Sequence, residues 1–435
     1  MPQSTQPSRD TPGLPIRGLT VEVIDGPDAG KSASSDSEAL TVGTAETNDL
    51  VLGDPTVSRF HLELARGEDG ILVVDHGSTN GTVFEGARLE RATLRPDAVL
   101  TLGHTRVRVG DGERITLELH EGEELAGLHG RTAVMRRLMA RIGKAAMATT
   151  PVLLVGESGT GKELVARALH AQSRRADEPF VTVDCGALSP SLVASELFGH
   201  EKGAFTGADR QHVGAFERAD GGTLFLDEIG ELGADLQPAL LGVLERGRFR
   251  RVGGRDEVDV DVRVLAATHR DLRAEVNEGT FRLDLYYRLA VIVLAVPPLR
   301  ERVEDVPLLV EHFAREAGHE GDVGRVFSPD AMAELCRHRW PGNVRELRNV
   351  VEATLAMGET PPLFDAPIDA AELTPEALLR LPYKDARRAL LDDFERRYVE
   401  RRLEESDGNV SAAARAARMD RTYLIKLIAR HDLDG

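Results

Sequence analysis

Residues 156–163 read GESGTGKE: Gly156, Glu157, Ser158, Gly159, Thr160, Gly161, Lys162 and Glu163. Glycines at three of these positions let the chain turn so that successive backbone N–H groups face one anion. Lys162 adds a full positive charge that could reach the β- and γ-phosphates of a nucleotide. Sixty-five residues after Lys162, the apolar run TLFLD ends in Asp227, followed by Glu228. Paired carboxylates there suit phosphoryl hydrolysis: Asp227 holds Mg²⁺ through its water shell, and Glu228 polarises the attacking water. A third apolar run, VRVLAATHRDL, carries Thr268 and His269 at its polar end, where they could sense a γ-phosphate. FRLDLYYRL carries Arg282 and Arg288. These are either ordinary solvated arginines or fingers that a neighbouring subunit supplies in trans. WPGNVREL places Arg345 early in a helix, where it could fold back onto the nucleotide.

These residues need elements to position them. PVLLVG reads as a buried strand into the glycine loop, and ELVARALH as the helix leaving it, so the positive helix end adds to the phosphate site. From about residue 126 strands and helices alternate to about 315, the α/β pattern of a parallel sheet, and 325–358 reads as helical. Residues 18–118 differ. Short alternating runs such as LTVEVI, HLELA, ILVVD and RVRVG are separated by turn signals, which is a sandwich pattern. The Pro-rich acidic stretch after 358 reads as a linker. The expected division is a polar disordered tail at 1–17, an all-β sandwich at 18–118 and a linker at 119–125. An α/β domain with a helical lid follows at 126–358, then a linker at 359–382 and an all-α module at 383–435.

The chain of 435 residues has a net charge of −18, which excludes a protein that coats nucleic acid or anionic membrane over its whole surface. Two distant cysteines, Cys185 and Cys336, fit a reducing compartment. No apolar run approaches the roughly 20 residues of a membrane span. The expected location is cytoplasmic, with no membrane partner.

The motifs GESGTGKE, ELFGHEKGAFTGA, GGTLFLDEI, FRLDLYYRL, PPLRERVEDVP and WPGNVRELRN together resemble the AAA+ domain of bacterial enhancer-binding proteins, the activators of sigma-54 RNA polymerase. The resemblance implies an ATP- and Mg²⁺-dependent ATPase that assembles as a ring, a hexamer. In that family Glu163 after the loop lysine is usual. The GAFTGA loop, here Gly203, Ala204, Phe205, Thr206, Gly207 and Ala208, rises from the ring face to touch sigma-54. One departure is Asp184, where the family usually has an Asn that restrains the catalytic glutamate. An Asp cannot donate an amide hydrogen bond to Glu228, and two carboxylates repel, so looser gating of basal hydrolysis is expected.

TVGTAETNDLVLGDPTVSRFHLEL and VVDHGSTNGTVFEG resemble the forkhead-associated (FHA) domain, a phosphothreonine-reading sandwich. Ser58, Arg59, Thr79 and Asn80 match its recognition positions, and His61 matches the residue that braces the loop. Hydroxyls and an Arg suit phosphate oxygens, and an Asn amide suits a peptide backbone. The family's phosphate-contacting Arg is Thr44 here, which should cost about 1.5–3 kcal/mol, with Arg59 as a partial replacement.

Residues 407–433 resemble the Fis-type helix-turn-helix of the same activators. Arg415, Arg418, Arg421, Lys426 and Arg430 stand against one acid, Asp420, within 408–431, which makes a local basic patch for DNA. Arg421, Thr422, Tyr423 and Lys426 would face the groove. A helical dimerisation hairpin is the alternative for this stretch. Taken together, the expectation is an activator that binds upstream enhancer DNA, forms a homo-oligomer and remodels sigma-54 RNA polymerase. Its FHA domain would answer a phosphothreonine protein or a Ser/Thr kinase. The alternatives are an AAA+ remodeller of another protein and a non-catalytic phosphoprotein-binding regulator.

Overall fold

The computed structural model describes residues 13–358, apart from 36–38, 68–69, 188–189 and 206–207, and scattered positions from 360 to 419. The chain divides into two compact units, 1–361 and 362–435.

The first unit opens with a β-sandwich. One sheet has the order Ser32–Ser35, Gly13–Asp25, Thr105–Glu118, Ala98–Leu102, Thr82–Phe84, Ala87–Leu89. The other runs Leu50–Val51, Ala39–Gly43, Leu62–Arg66, Ile71–Asp75, Arg91–Leu94. Alternation sends Leu19, Val21 and Val23 inward against Leu40, Val42, Leu62, Leu64, Ile71 and Val73. Two expected boundaries need correction. The first strand begins at Gly13, inside the segment expected as a tail, because Gly13–Arg17 pairs with Arg114–Glu118 of a long antiparallel partner. The expected linker at 119–125 is not free chain. Glu124–Leu125 pairs with Leu128–His129 around Ala126 and Gly127, both at positive φ, the geometry of a tight hairpin turn.

The α/β part is a five-stranded parallel sheet of order Phe180–Asp184, Thr223–Asp227, Arg263–Thr268, Val152–Val155, Ile292–Ala295. Arg263–Thr268 is buried along its whole length, which explains its uninterrupted apolar reading. Helix Ala133–Ala146 buries Met135, Leu138, Met139 and Ile142, spaced for one helical face. Buried Arg263 donates to the Ala145 and Ala146 carbonyls at that helix's C-terminus. The lid comprises helices Val306–Glu316, Pro329–Arg337 and Asn343–Met357. In the second unit residues 396–403 are helical. Arg421, Thr422, Tyr423 and Lys426 lie outside the described residues, as do Arg415, Arg418, Asp420 and Arg430. Among the described residues no helix is long and apolar enough to cross a membrane.

Candidate nucleotide-hydrolysis site

Three neighbouring strands end on one edge of the sheet, and each delivers part of the site. Val152–Val155 leads into loop 156–161 and then helix Lys162–Ala171. Gly159 and Gly161 sit at φ +77° and +100°. A Cβ on Gly159 would lie 2.3 Å from the Gly342 carbonyl oxygen of the lid, so loop and lid approach too closely for any other residue. Lys162 is buried, and its Nζ donates to the carbonyls of Gly156 at 2.9 Å and Glu157 at 3.3 Å. The same Nζ stands 3.7 Å from a Glu228 carboxylate oxygen. Glu163 pairs with Arg167 on the outer helix face.

Strand Thr223–Asp227 delivers the two acids. Asp227 accepts a bond from the Glu228 backbone N–H. Burial pushes the Asp227 carboxyl up, and the neighbouring Glu228 charge adds to that. Burial acts the same way on Glu228, but the His269 hydrogen bond and the Lys162 charge outweigh it and hold its carboxyl below the ordinary value. Glu228 adopts φ +49°, a left-handed conformation that costs about 1–3 kcal/mol for a non-glycine residue and tends to occur at functional sites.

Strand Arg263–Thr268 delivers the third part. Buried Thr268 turns its hydroxyl to the Arg270 N–H. His269 meets Glu228 twice, through its backbone N–H and through Nδ1 at 2.7 Å. The glutamate therefore has a holder, but not at position 184. Asp184 Oδ1 accepts from the N–H groups of Gly186 and Ala187 and caps its own turn. This corrects the expectation of a loosely held Glu228: the strand end that carries His269 supplies the hold. Asp184→Asn is accordingly expected to leave basal turnover within about twofold, since its main partners are two backbone N–H groups that an amide oxygen also satisfies. Steady-state ATP hydrolysis checks this.

The lid reaches the loop. Arg345 donates to Ser158 Oγ at 3.2 Å. Sequence reasoning missed three further contributors. Arg300 pairs with Glu157 through both terminal guanidinium nitrogens, and fully buried Asn343 donates to the Glu157 carboxylate and the Ser158 carbonyl. Arg302, buried, donates to the Thr160 carbonyl. All three lie within quoted motifs, but nothing in the motifs says which side chain meets which. Arg282 pairs with Asp284, and Arg288 donates to the Leu244 carbonyl. Among the described residues neither is bonded to the loop at 156–161.

The GAFTGA segment leaves the domain on a braced neck. His200 bridges His212, Gly203 N–H bonds the Ala208 carbonyl, and Arg251 ties Glu201 to Glu217. Phe205 remains 39% exposed, with its ring edge against His200. Thr206 and Gly207 lie outside the described residues.

In the sandwich, Ser58 Oγ accepts from the Thr79 N–H, and Asn80 donates to the Thr56 carbonyl. Fully buried His61 accepts the Ser58 N–H, and burial holds its imidazole below the ordinary value. Buried Asn48, which the motif reading passed over, grips the carbonyls of Ala45 and Arg59. Arg59 does not turn toward Thr44 to replace the missing Arg. Its guanidinium donates to the Val276 carbonyl of the α/β domain.

Comparison with known families gives three matches along the chain. The sigma-54 interaction domain matches residues 128–295, and an AAA+ ATPase lid domain matches 300–385. The cytoplasmic domain of the inner membrane component of the type III secretion system matches residues 22–113. The transcriptional regulatory protein GlrR of Escherichia coli K12 is 45% identical over 307 residues, covering 70% of this chain and 68% of that protein. The crystal structure of NtrX from Brucella abortus in complex with ATP is 40% identical with a TM-score of 0.49, covering 70% of this chain and 69% of the other. The FHA domain of CT664 from Chlamydia trachomatis is 29% identical with a TM-score of 0.21, covering 22% of this chain and 99% of that domain.

Proposed function

The chain belongs to the family of sigma-54-dependent transcriptional regulators and carries its AAA+ ATPase domain, and from that premise we propose a specific division of labour. ATP binds at the loop 156–161, and its hydrolysis drives Phe205 and Thr206 against sigma-54 so that a closed promoter complex opens. The observation that supports this most is the convergence of Lys162, Glu228 and His269 at the carboxyl ends of three neighbouring strands.

Each residue has one task. The N–H groups of the glycine loop and Lys162 hold phosphate oxygens. Glu228, kept ionised, orients a water for attack. His269 holds Glu228 until the nucleotide is seated, and Thr268 fixes the end of that strand. Asp227 suits Mg²⁺ held through water, which supplies charge neutralisation at the phosphates. That mode needs no cage of protein ligands.

Arg282 and Arg288 act on a neighbouring subunit's site, so the working form is a ring, read as a hexamer. The residues 383–435 bind upstream DNA, with Arg421, Thr422, Tyr423 and Lys426 toward the groove. The sandwich is an FHA-type input domain whose ligand loops carry Ser58, Arg59, Thr79 and Asn80. A mixing experiment tests the ring. Arg288→Ala is expected to lose about 10³-fold or more in turnover, and Glu228→Gln about 10²–10⁴-fold. An equimolar mixture should recover turnover well above either, because some interfaces then join an intact Glu228 to an intact Arg288. A mixture that stays as inactive as its components contradicts sharing between subunits.

A further inference from the structure

The loop that carries Ser58 and Arg59 already has a partner within the same compact unit. Arg59 Nη1 donates to the Val276 carbonyl at 3.3 Å. Asn277 takes the backbone of Phe60 from both sides: its Oδ1 accepts the Phe60 N–H, and its Nδ2 donates to the Phe60 carbonyl at 2.7 Å and the His76 carbonyl at 2.9 Å. This is the grip an amide uses to hold a bound peptide, turned here on the sandwich's own loop. The Phe60 ring is 3% exposed and sits edge-on to Tyr286 and Tyr287. Phe60 and Ala45 bury themselves in the core of the ATPase domain, not in that of the sandwich.

Beside them lies a polar cluster shared by the two domains. Glu63 pairs with Arg273, which also donates to the Tyr286 hydroxyl and lies 3.2 Å from His76 Nε2. His76 Nδ1 stands 2.6 Å from Asp271 Oδ2. Linked domains are ordinarily free to move. A buried aromatic and a satisfied cluster of charges favour one arrangement, because separating the domains exposes the Phe60 ring to water and breaks the Glu63–Arg273 and His76–Asp271 pairs.

What this contact grips is the segment next to His269, which is hydrogen-bonded to Glu228. Asp271, held by His76, caps helix Leu272–Glu278 and stands two residues after His269. His269 is the residue that holds Glu228. The next helix, Leu283–Leu289, carries Tyr286 against Phe60 and Arg288 at its end.

We propose that the sandwich uses its ligand loop to dock on the chain's own ATPase domain, and that this docking is a brake. It fixes residues 269–277 where His269 keeps Glu228 paired, and a phosphothreonine peptide that takes Arg59 must break the contact. The inference rests on the ATPase-driven function above. It also assigns Arg59 to the domain contact in the resting protein.

The test uses the full chain with two separate openings of the contact, Glu63→Arg and Asn277→Ala. Neither residue belongs to the hydrolysis site. Basal ATP turnover and hydrogen exchange across 271–289 are measured for both, with wild type and Lys162→Ala alongside. Each opening is expected to speed exchange across 271–289 and to raise basal turnover about fivefold or more, the usual scale of coupling between sites. Faster exchange with turnover unchanged or lowered overturns the brake. Unchanged exchange in both variants overturns the contact itself. A wild type no faster than Lys162→Ala would instead overturn the ATPase-driven reading on which the inference rests.

Discussion

Glu228→Gln is expected to keep ATP binding and to lose about 10²–10⁴-fold in hydrolysis, the range for removing a positioned general base. The substitution keeps size and shape and removes only the charge. Glu228 is no support for the phosphate loop: its side chain meets Lys162 at 3.7 Å and His269 at 2.7 Å, while the loop is held by Arg300, Asn343 and Arg302. Those lid contacts survive the change, so nucleotide affinity should hold within a few-fold. The structure favours a charged glutamate, since the His269 bond and Lys162 hold its carboxyl below the ordinary value against the effect of burial. Equilibrium binding of a fluorescent ATP analogue, measured beside turnover, separates the two effects. Loss of binding together with hydrolysis would show that Glu228 helps hold the nucleotide and is not mainly a base.

Phe205→Ala is expected to do the reverse: hydrolysis stays within about twofold while open-complex formation falls at least tenfold, since burying a phenylalanine is worth about 1.5–3 kcal/mol. Phe205 is 39% exposed and belongs to none of the hydrophobic cores of the described residues, with its ring edge against His200. The neck beneath it is fixed by the His200–His212 bridge and by Arg251 between Glu201 and Glu217, none of which needs the phenyl group. The tip can therefore be truncated without disturbing its base. Equal loss of both activities would mean that Phe205 supports the ATPase domain itself.

What the sequence made legible follows from distance along the chain. The loop Gly156–Lys162, the acids Asp227 and Glu228 and the Thr268–His269 pair each occupy a short run after an apolar strand, so local pattern reveals them. The clamp on Glu157 joins residues 143 and 186 positions away, and no local pattern encodes that. His269 reads as a phosphate sensor in sequence, and only the fold brings it onto Glu228. Asp184 was legible as a departure, but its turn-capping geometry was not. Phe60 was the least legible. In an alternating strand-rich stretch it reads as part of the sandwich, yet its ring lies in the neighbouring domain because the two domains meet along that loop. The hairpin around Ala126 and Gly127 was hidden by the charged residues about it, which mask a two-residue turn.

ATP-driven promoter opening is tested most directly by permanganate footprinting of a fully duplex sigma-54 promoter. It carries sigma-54 RNA polymerase, this protein, and either ATP or a non-hydrolysable analogue. Reactive thymines are expected around the start site with ATP and not with the analogue, and are lost with Glu228→Gln and with Phe205→Ala. Melting with the analogue, or no melting by a protein that hydrolyses ATP even after Glu63→Arg has opened the domain contact, would contradict it.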